Sequence, residues 1–265
     1  MTDPLAESLV ELRARTLSLL VDLDDEQWRV PHLPIVNPFG WELGHVGWFA
    51  ERWVLREALG RPPLRADGDA WWDSSAVAHA ARWSLPLPDR AGTLGYVAEV
   101  LEQVLAALDD RPVVRYHARY ALLHEAMHAE AFTYMRHTLG YPAPAAEAPL
   151  VAGPWPGDVE VPAGVHRLGA EPDAAFAFDN EKWAHPVPVD AFRIDRAPVT
   201  VEAFAAFVAD GGYRRRELWD PAAPVWDGPA DWRGGLRRRF DRQSPPELNH
   251  PIDHVSWFEA DAYAR

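Results

Sequence analysis

The run Leu122-Leu123-His124-Glu125-Ala126-Met127-His128-Ala129-Glu130 sets two histidines four residues apart in a stretch of strong helix formers. On a helix, positions i and i+4 share one face, one turn apart, so both imidazoles can reach a single metal ion. A third ligand must come from elsewhere, and the candidate is His45, in Trp41-Glu42-Leu43-Gly44-His45-Val46-Gly47-Trp48-Phe49. Gly44 and Gly47 beside it would let another element approach closely. A bare pair or a lone histidine is often only a packing residue. Here the neighbours are apolar, and a buried imidazole needs a partner, which a metal supplies. The letters His124-Glu125-Ala126-Met127-His128 also match the His-Glu-x-x-His motif, in which the glutamate is the general base beside zinc. A zinc hydrolase therefore stands as an alternative. Glu130, six residues after His124, lies ~240° around the helix axis at ~100° per residue. It reads as a carboxylate supporting the ligands from outside or bridging helices. His117 shares the face of His124 but is ~10 Å away along the axis, too far to share an ion.

Four helices are expected to position these groups. Leu5 to Leu23 carries an apolar stripe at helical spacing (Leu5, Leu9, Leu12, Leu19, Leu23), interrupted by Thr16. Asp24 and Asp25 cap a short turn through Trp28. Pro31, Pro34 and Pro38 hold an extended connection to a second helix, Phe39 to Leu59, closed by Gly60 and Pro62. Residues 61–88 read as a long loop whose Trp71, Trp72 and Trp83 are core or lid residues, or a wall for a cation. The third helix runs Asp89 to Leu108. The fourth runs Val113 to Leu139 and stops at Gly140-Tyr141-Pro142. Metal sites in four-helix bundles are built from inward side chains on facing helices, which places His45 opposite the His124/His128 pair.

The texture then changes. Residues 142–157 form an Ala/Pro-rich linker, and two short strands are expected around a turn in Val159 to Gly169. Alternation returns in His185 to Thr200. Thr200 caps a helix Val201 to Ala209, Arg214 to Asn249 looks irregular, and Ser256 caps a last helix. Arg237-Arg238-Arg239 reads as a solvated turn or an anion contact. The chain stops at Arg265 inside a helical pattern without a stop signal, as a C-terminally truncated protein would. The division is thus 1–141 bundle, 142–157 linker and 158–265 second domain, an α+β protein.

Composition narrows the chemistry. The 265 residues include no cysteine, so disulfides, thiolate ligands and cysteine nucleophiles are excluded and a metal must sit on His, Asp or Glu. A net charge of −14 argues against general nucleic-acid binding. No signal peptide or membrane-spanning run is visible, so the cytoplasm is the expected location. Thirteen tryptophans suit pocket walls that face a cation.

These pieces carry a family resemblance. The two histidine-bearing motifs resemble the DinB-like bundle of the ergothioneine-biosynthesis sulfoxide synthases. Phe178-Asp179-Asn180-Glu181-Lys182, Pro198-Val199-Thr200, Asp210-Gly211-Gly212-Tyr213-Arg214 and His254-Val255-Ser256-Trp257-Phe258-Glu259-Ala260 resemble their formylglycine-generating-enzyme-like domain, of C-type-lectin-like α+β fold and here incomplete at its C-terminus. The resemblance spans nearly the whole chain in order. It implies a non-haem Fe(II) centre on His45, His124 and His128 that uses O2 to join a sulfur donor to the imidazole carbon of hercynine, the trimethylated betaine of histidine. It places Met127 and Trp48 among the substrate-binding positions and the catalytic tyrosine beyond the end of this chain. Thiol-using members commonly have glutamine where Met127 stands. Phe178 to Pro186 and Leu33 to Pro38 look more like the selenoneine synthase branch, whose chalcogen donor is a selenosugar. Two other readings remain: a DinB-type metal-dependent thiol transferase, and a non-enzymatic metal-stabilised bundle carrying a binding module.

Overall fold

A computed structural model describes residues 3–144, 153, 155–224 and 237–265, and the chain divides into two compact units. The first comprises 1–147 together with the short segment 173–178; the second comprises 148–172 and 179–265.

The first unit is the expected four-helix bundle. Helix α1 (Pro4–Ser18) starts at Asp3, whose carboxylate accepts from the Leu5 N–H, with proline in the first turn where its missing N–H costs nothing. It ends five residues before the apolar stripe does. Leu19, Leu20 and Leu23 are still buried, but in turns, because distant arginines satisfy the freed carbonyls: Arg136 donates to Leu19 O, and Arg90 to Leu20 O and Leu23 O. A single-turn helix α2 (Asp25–Arg29) carries a capping box between Asp24 and Gln27.

Helix α3 (Phe39–Ala50) follows Pro38, and its residues 39–48 are all buried. The helix continues as a wider π-helical stretch, Glu51–Glu57, within the span expected to be regular. The 61–88 connection is more structured than a bare loop: it holds α4 (Gly68–Trp72) and a 3-10 turn at His79–Trp83. Helices α5 (Arg90–Ala107) and α6 (Pro112–Leu139) complete the bundle, with Gly140 in the left-handed conformation ending α6. α3 packs on both α5 and α6, and α1 on α6 and α5, so one core is enclosed by all four. Both glycines of the α3 motif serve close approach, as their spacing predicts. A Cβ on Gly47 would stand 2.8 Å from Val97, and one on Gly44 2.2 Å from the Trp72 indole.

Among its described residues the second unit has small antiparallel strand pairs and two α-helices. β1 (Asp158–Val161) and β2 (Gly164–Leu168) flank a turn but do not pair with each other. β1 pairs with β4 (Phe192–Asp195), and β2 with β3 (His185–Val189). Thr200 caps α7 (Val201–Ala209) and Ser256 caps α8 (Trp257–Ala264), as expected. The Arg237–Arg239 run is a strand, β5, paired with β6 (Arg242–Ser244); it is largely exposed, as its charge suggests, but it is not a turn. The two short strands make no local hydrophobic signal, which is why this stretch reads as irregular.

Candidate metal centre

Three imidazoles from two helices converge. His45 on α3 and His124 and His128 on α6 each offer one nitrogen, and these atoms lie within 4.8 Å of one another. Nε2 of His124 is 3.1 Å from Nε2 of His45 and 3.2 Å from Nε2 of His128. Two nitrogens each ~2.1 Å from one ion at right angles stand ~3.0 Å apart, and at a tetrahedral angle ~3.4 Å apart. The observed spacings fall between these values.

The opposite ring edges explain why the Nε2 atoms face inward. His45 Nδ1 lies 2.7 Å from the Trp72 carbonyl oxygen, and His128 Nδ1 2.8 Å from Glu42 Oε1. Neutral imidazoles donate there, which leaves Nε2 as the lone-pair atom a metal takes. His124 has its Nδ1 buried without a partner, and its ring is stacked on Phe49 with centroids 3.6 Å apart. Burial, with the neighbouring His128, pushes the His45 imidazolium down to about 4, and the same causes lower His124. His45 and His124 are therefore uncharged nitrogen donors near neutral pH, the protonation state that metal binding requires. These residues fit a divalent ion that accepts imidazole; the chain has no cysteine, and no carboxylate among the described residues joins the cluster.

Packing sets the His45 position. Trp72 is completely buried, stacked on Tyr96, and lies directly across α3 at Gly44. That close approach delivers the Trp72 carbonyl to His45. Gly44→Ala would push the indole away, at a cost of about 1–3 kcal/mol for overpacking. The expected outcome is a lowered melting temperature together with weaker metal binding, read by thermal denaturation with and without Co(II).

The carboxylate that supports a ligand is Glu42, not Glu130. Two residues beyond His128, Glu130 is turned ~200° from it at ~100° per residue, and it is exposed. Glu42 is buried and lies three residues before His45, on the same face of α3. That spacing was the available signal. Glu42→Gln removes the charge and is expected to weaken Co(II) binding by ~10–100-fold, the usual effect of losing a ligand's hydrogen-bond partner. A competition titration against a chromophoric chelator would measure it.

Glu125 does not face the ion. It is buried against Arg13 on α1 in a two-point ion pair, so it cannot serve as the base the His-Glu-x-x-His reading requires. Trp48 is not free to meet a substrate through its ring nitrogen. It is buried, 5.8 Å from the His45 ring, and donates to Asp69 Oδ1. Met127, the residue before His128 and three after His124, is half exposed. The three loop tryptophans do not form one cation-binding wall: Trp72 is core, Trp71 is covered by Arg65, and Trp83 packs on His32 and His79. The aromatic surface beside the cluster is instead Phe49, Trp53 and Tyr120, joined by Phe176 and Phe178 of the segment that packs with this unit. Tyr116 also donates to the Ala177 carbonyl. His117 stacks on Trp53 and is not drawn into the cluster.

Comparison with known proteins places both halves. Residues 8–132 match the DinB superfamily, and residues 145–265 match the sulfatase-modifying factor enzyme 1-like domain. The chain is 36% identical over 277 residues to the hercynine oxygenase of Mycolicibacterium thermoresistibile, covering 98% of this chain and 62% of that protein. It is 35% identical over 285 residues to the hercynine oxygenase of Mycobacterium tuberculosis, covering 100% of this chain and 66% of that protein. It is also 34% identical over 129 residues to the formylglycine-generating enzyme of Thermomonospora curvata, covering 41% of this chain and 43% of that protein. The chain thus spans a little under two thirds of the length of the hercynine oxygenases it matches.

Proposed function

We propose, for a chain that belongs to the family joining a DinB superfamily domain to a sulfatase-modifying factor enzyme 1-like domain, that it serves an O2-dependent oxidoreductase forming a C–S or C–Se bond on the imidazole of hercynine. The observation that carries the reading is the convergence of His45, His124 and His128 through Nε2, with two of the three Nδ1 edges already engaged. Fe(II) is the proposed ion. Held by three neutral imidazoles with further positions free, it would supply the one-electron chemistry by which O2 reacts with closed-shell organic molecules.

The remaining work belongs to the protein's own side chains. Trp72 and Glu42 fix the His45 and His128 rings, so the donor nitrogens need not reorganise when metal enters. Phe49 shields His124 from water on one ring face. The rings beside the cluster, Phe49, Trp53 and Tyr120, are side chains of the kind that receive a trimethylammonium group such as that of hercynine. Met127 stands where thiol-using members commonly carry glutamine. This soft, polarisable side chain favours a selenosugar as donor within the proposal.

The test is direct. The full-length protein is loaded with Fe(II) and given hercynine, O2 and either a thiol or a selenosugar, and the products are weighed by mass spectrometry. A hercynine adduct is expected, more with the selenosugar. No adduct with either donor would reject the oxidoreductase reading. Thiol consumption without O2 uptake would point to a DinB-type transferase, and tight metal binding without turnover to a binding module.

A further inference from the structure

The 61–88 connection does more than span α3 and α5. Its 3-10 turn, His79–Trp83, is fastened to the extended segment before α3 by three hydrogen bonds. His79 Nε2 lies 2.7 Å from Val36 O, Arg82 Nη1 donates to Asn37 Oδ1 at 2.7 Å, and Trp83 Nε1 donates to Val30 O at 2.9 Å. Asn37 passes the contact on: its Nδ2 donates to Glu42 Oε2 at 2.9 Å, and Glu42 Oε1 meets His128 Nδ1 at 2.8 Å. An amide suits the middle of such a chain, because its oxygen accepts from a guanidinium while its nitrogen donates to a carboxylate.

Arg82 also reaches His45 by a second path. Its guanidinium carbon sits 3.8 Å from the centroid of the Trp41 ring. Trp41 in turn is stacked parallel on His45, with centroids 5.2 Å apart and planes 6° apart. The Trp41 indole nitrogen is held separately, by the Trp71 carbonyl at 2.7 Å. One planar side chain, from a turn that carries no candidate ligand, therefore bears on two of the three imidazoles. A guanidinium can do this because it stacks through its face while bonding through its edge.

We infer that Arg82 is a positioning residue for the metal centre, acting on His128 through Asn37 and Glu42 and on His45 through Trp41. The inference rests on the metal reading of the three histidines. Its consequence is that the 79–83 turn and the 30–38 segment form one buttress, and ligand direction is set outside the two helices that carry the ligands.

The test measures Co(II) affinity and the visible d–d spectrum of wild type, Arg82→Met, Asn37→Leu, Glu42→Gln and the Arg82→Met/Glu42→Gln pair, each with a thermal melt of the metal-free protein. Arg82→Met is expected to weaken Co(II) binding ~10-fold, near the low end for outer partners of a ligand, and to shift the d–d bands. Asn37→Leu, which leaves the Trp41 contact intact, should shift the bands in the same direction. With Glu42 already changed, the further loss from Arg82→Met should shrink to ~3-fold or less, since residues acting in one chain are not additive. Equal losses in both backgrounds, or wild-type affinity and spectrum in both Arg82→Met and Asn37→Leu, would overturn the inference. Failure of the wild type itself to bind Co(II) would instead overturn the metal reading beneath it.

Discussion

Alanine at His45, His124 or His128 lowers affinity for Fe(II) or Co(II) by at least ~10²-fold, while alanine at His117 leaves it unchanged. The size follows from apparent binding energies of ~10–16 kcal/mol shared among four ligands in zinc sites, or ~3 kcal/mol for each. At ~1.4 kcal/mol per tenfold that is a factor near 10². His117 is the informative control because it lies on the same helix, points the same way, and is engaged with Trp53 and the Val113 carbonyl. Chelator competition at fixed pH reads all four variants. The α3 histidine is the critical one: if His45→Ala binds as tightly as wild type, the ion sits on α6 alone and the two-helix site is wrong.

The second large effect concerns stability. Arg13 and Glu125 are almost fully buried and form a two-point pair, Nε to Oε1 at 2.7 Å and Nη2 to Oε2 at 2.9 Å. Arg13 also donates to the Val97 carbonyl at 2.6 Å, so one side chain ties α1 to α6 and α5. Glu125→Ala leaves a buried guanidinium without its counter-charge, which costs about 3–5 kcal/mol. Urea denaturation should show that loss as a lower midpoint. Replacing the pair together, Arg13→Met with Glu125→Leu, should recover most of it, because apolar groups of similar volume need no partner. A single-variant loss below ~1 kcal/mol would mean the pair is solvated and holds nothing.

That pair also shows where reading the chain reaches its limit. The leucines of α1 are legible as a stripe, and Leu5 and Leu9 are buried as the spacing demands. Thr16, the polar residue within that stripe, is fully buried, and Arg13, on the same face, is buried with a partner 112 positions away. No local pattern announces such a pairing. The early end of α1 has the same origin, since the carbonyls after Ser18 are satisfied by Arg90 and Arg136 from distant helices. Helical spacing does place His124 beside His128, and the adjoining glycines of α3 do mark where Trp72 and Val97 press in. Glu42 stands three residues before His45 on the same face of α3, while Glu130, set ~240° from His124 around α6, is exposed and holds no ligand. In the second unit the capped helices are legible because Thr200 and Ser256 announce themselves. The β1–β4 and β2–β3 pairings are not, because strand partners are set by the path of the chain and not by the strands' own residues.

The proposed centre holds one iron atom on three imidazoles from two helices. X-ray absorption spectroscopy of the Fe(II)-loaded protein tests it most directly. Nitrogen or oxygen scatterers are expected at ~2.0–2.2 Å, with the outer-shell multiple scattering of three imidazole rings, reduced to two in His45→Ala. A spectrum fitted by two rings or fewer in the wild type, or one that His45→Ala leaves unaltered, would contradict it.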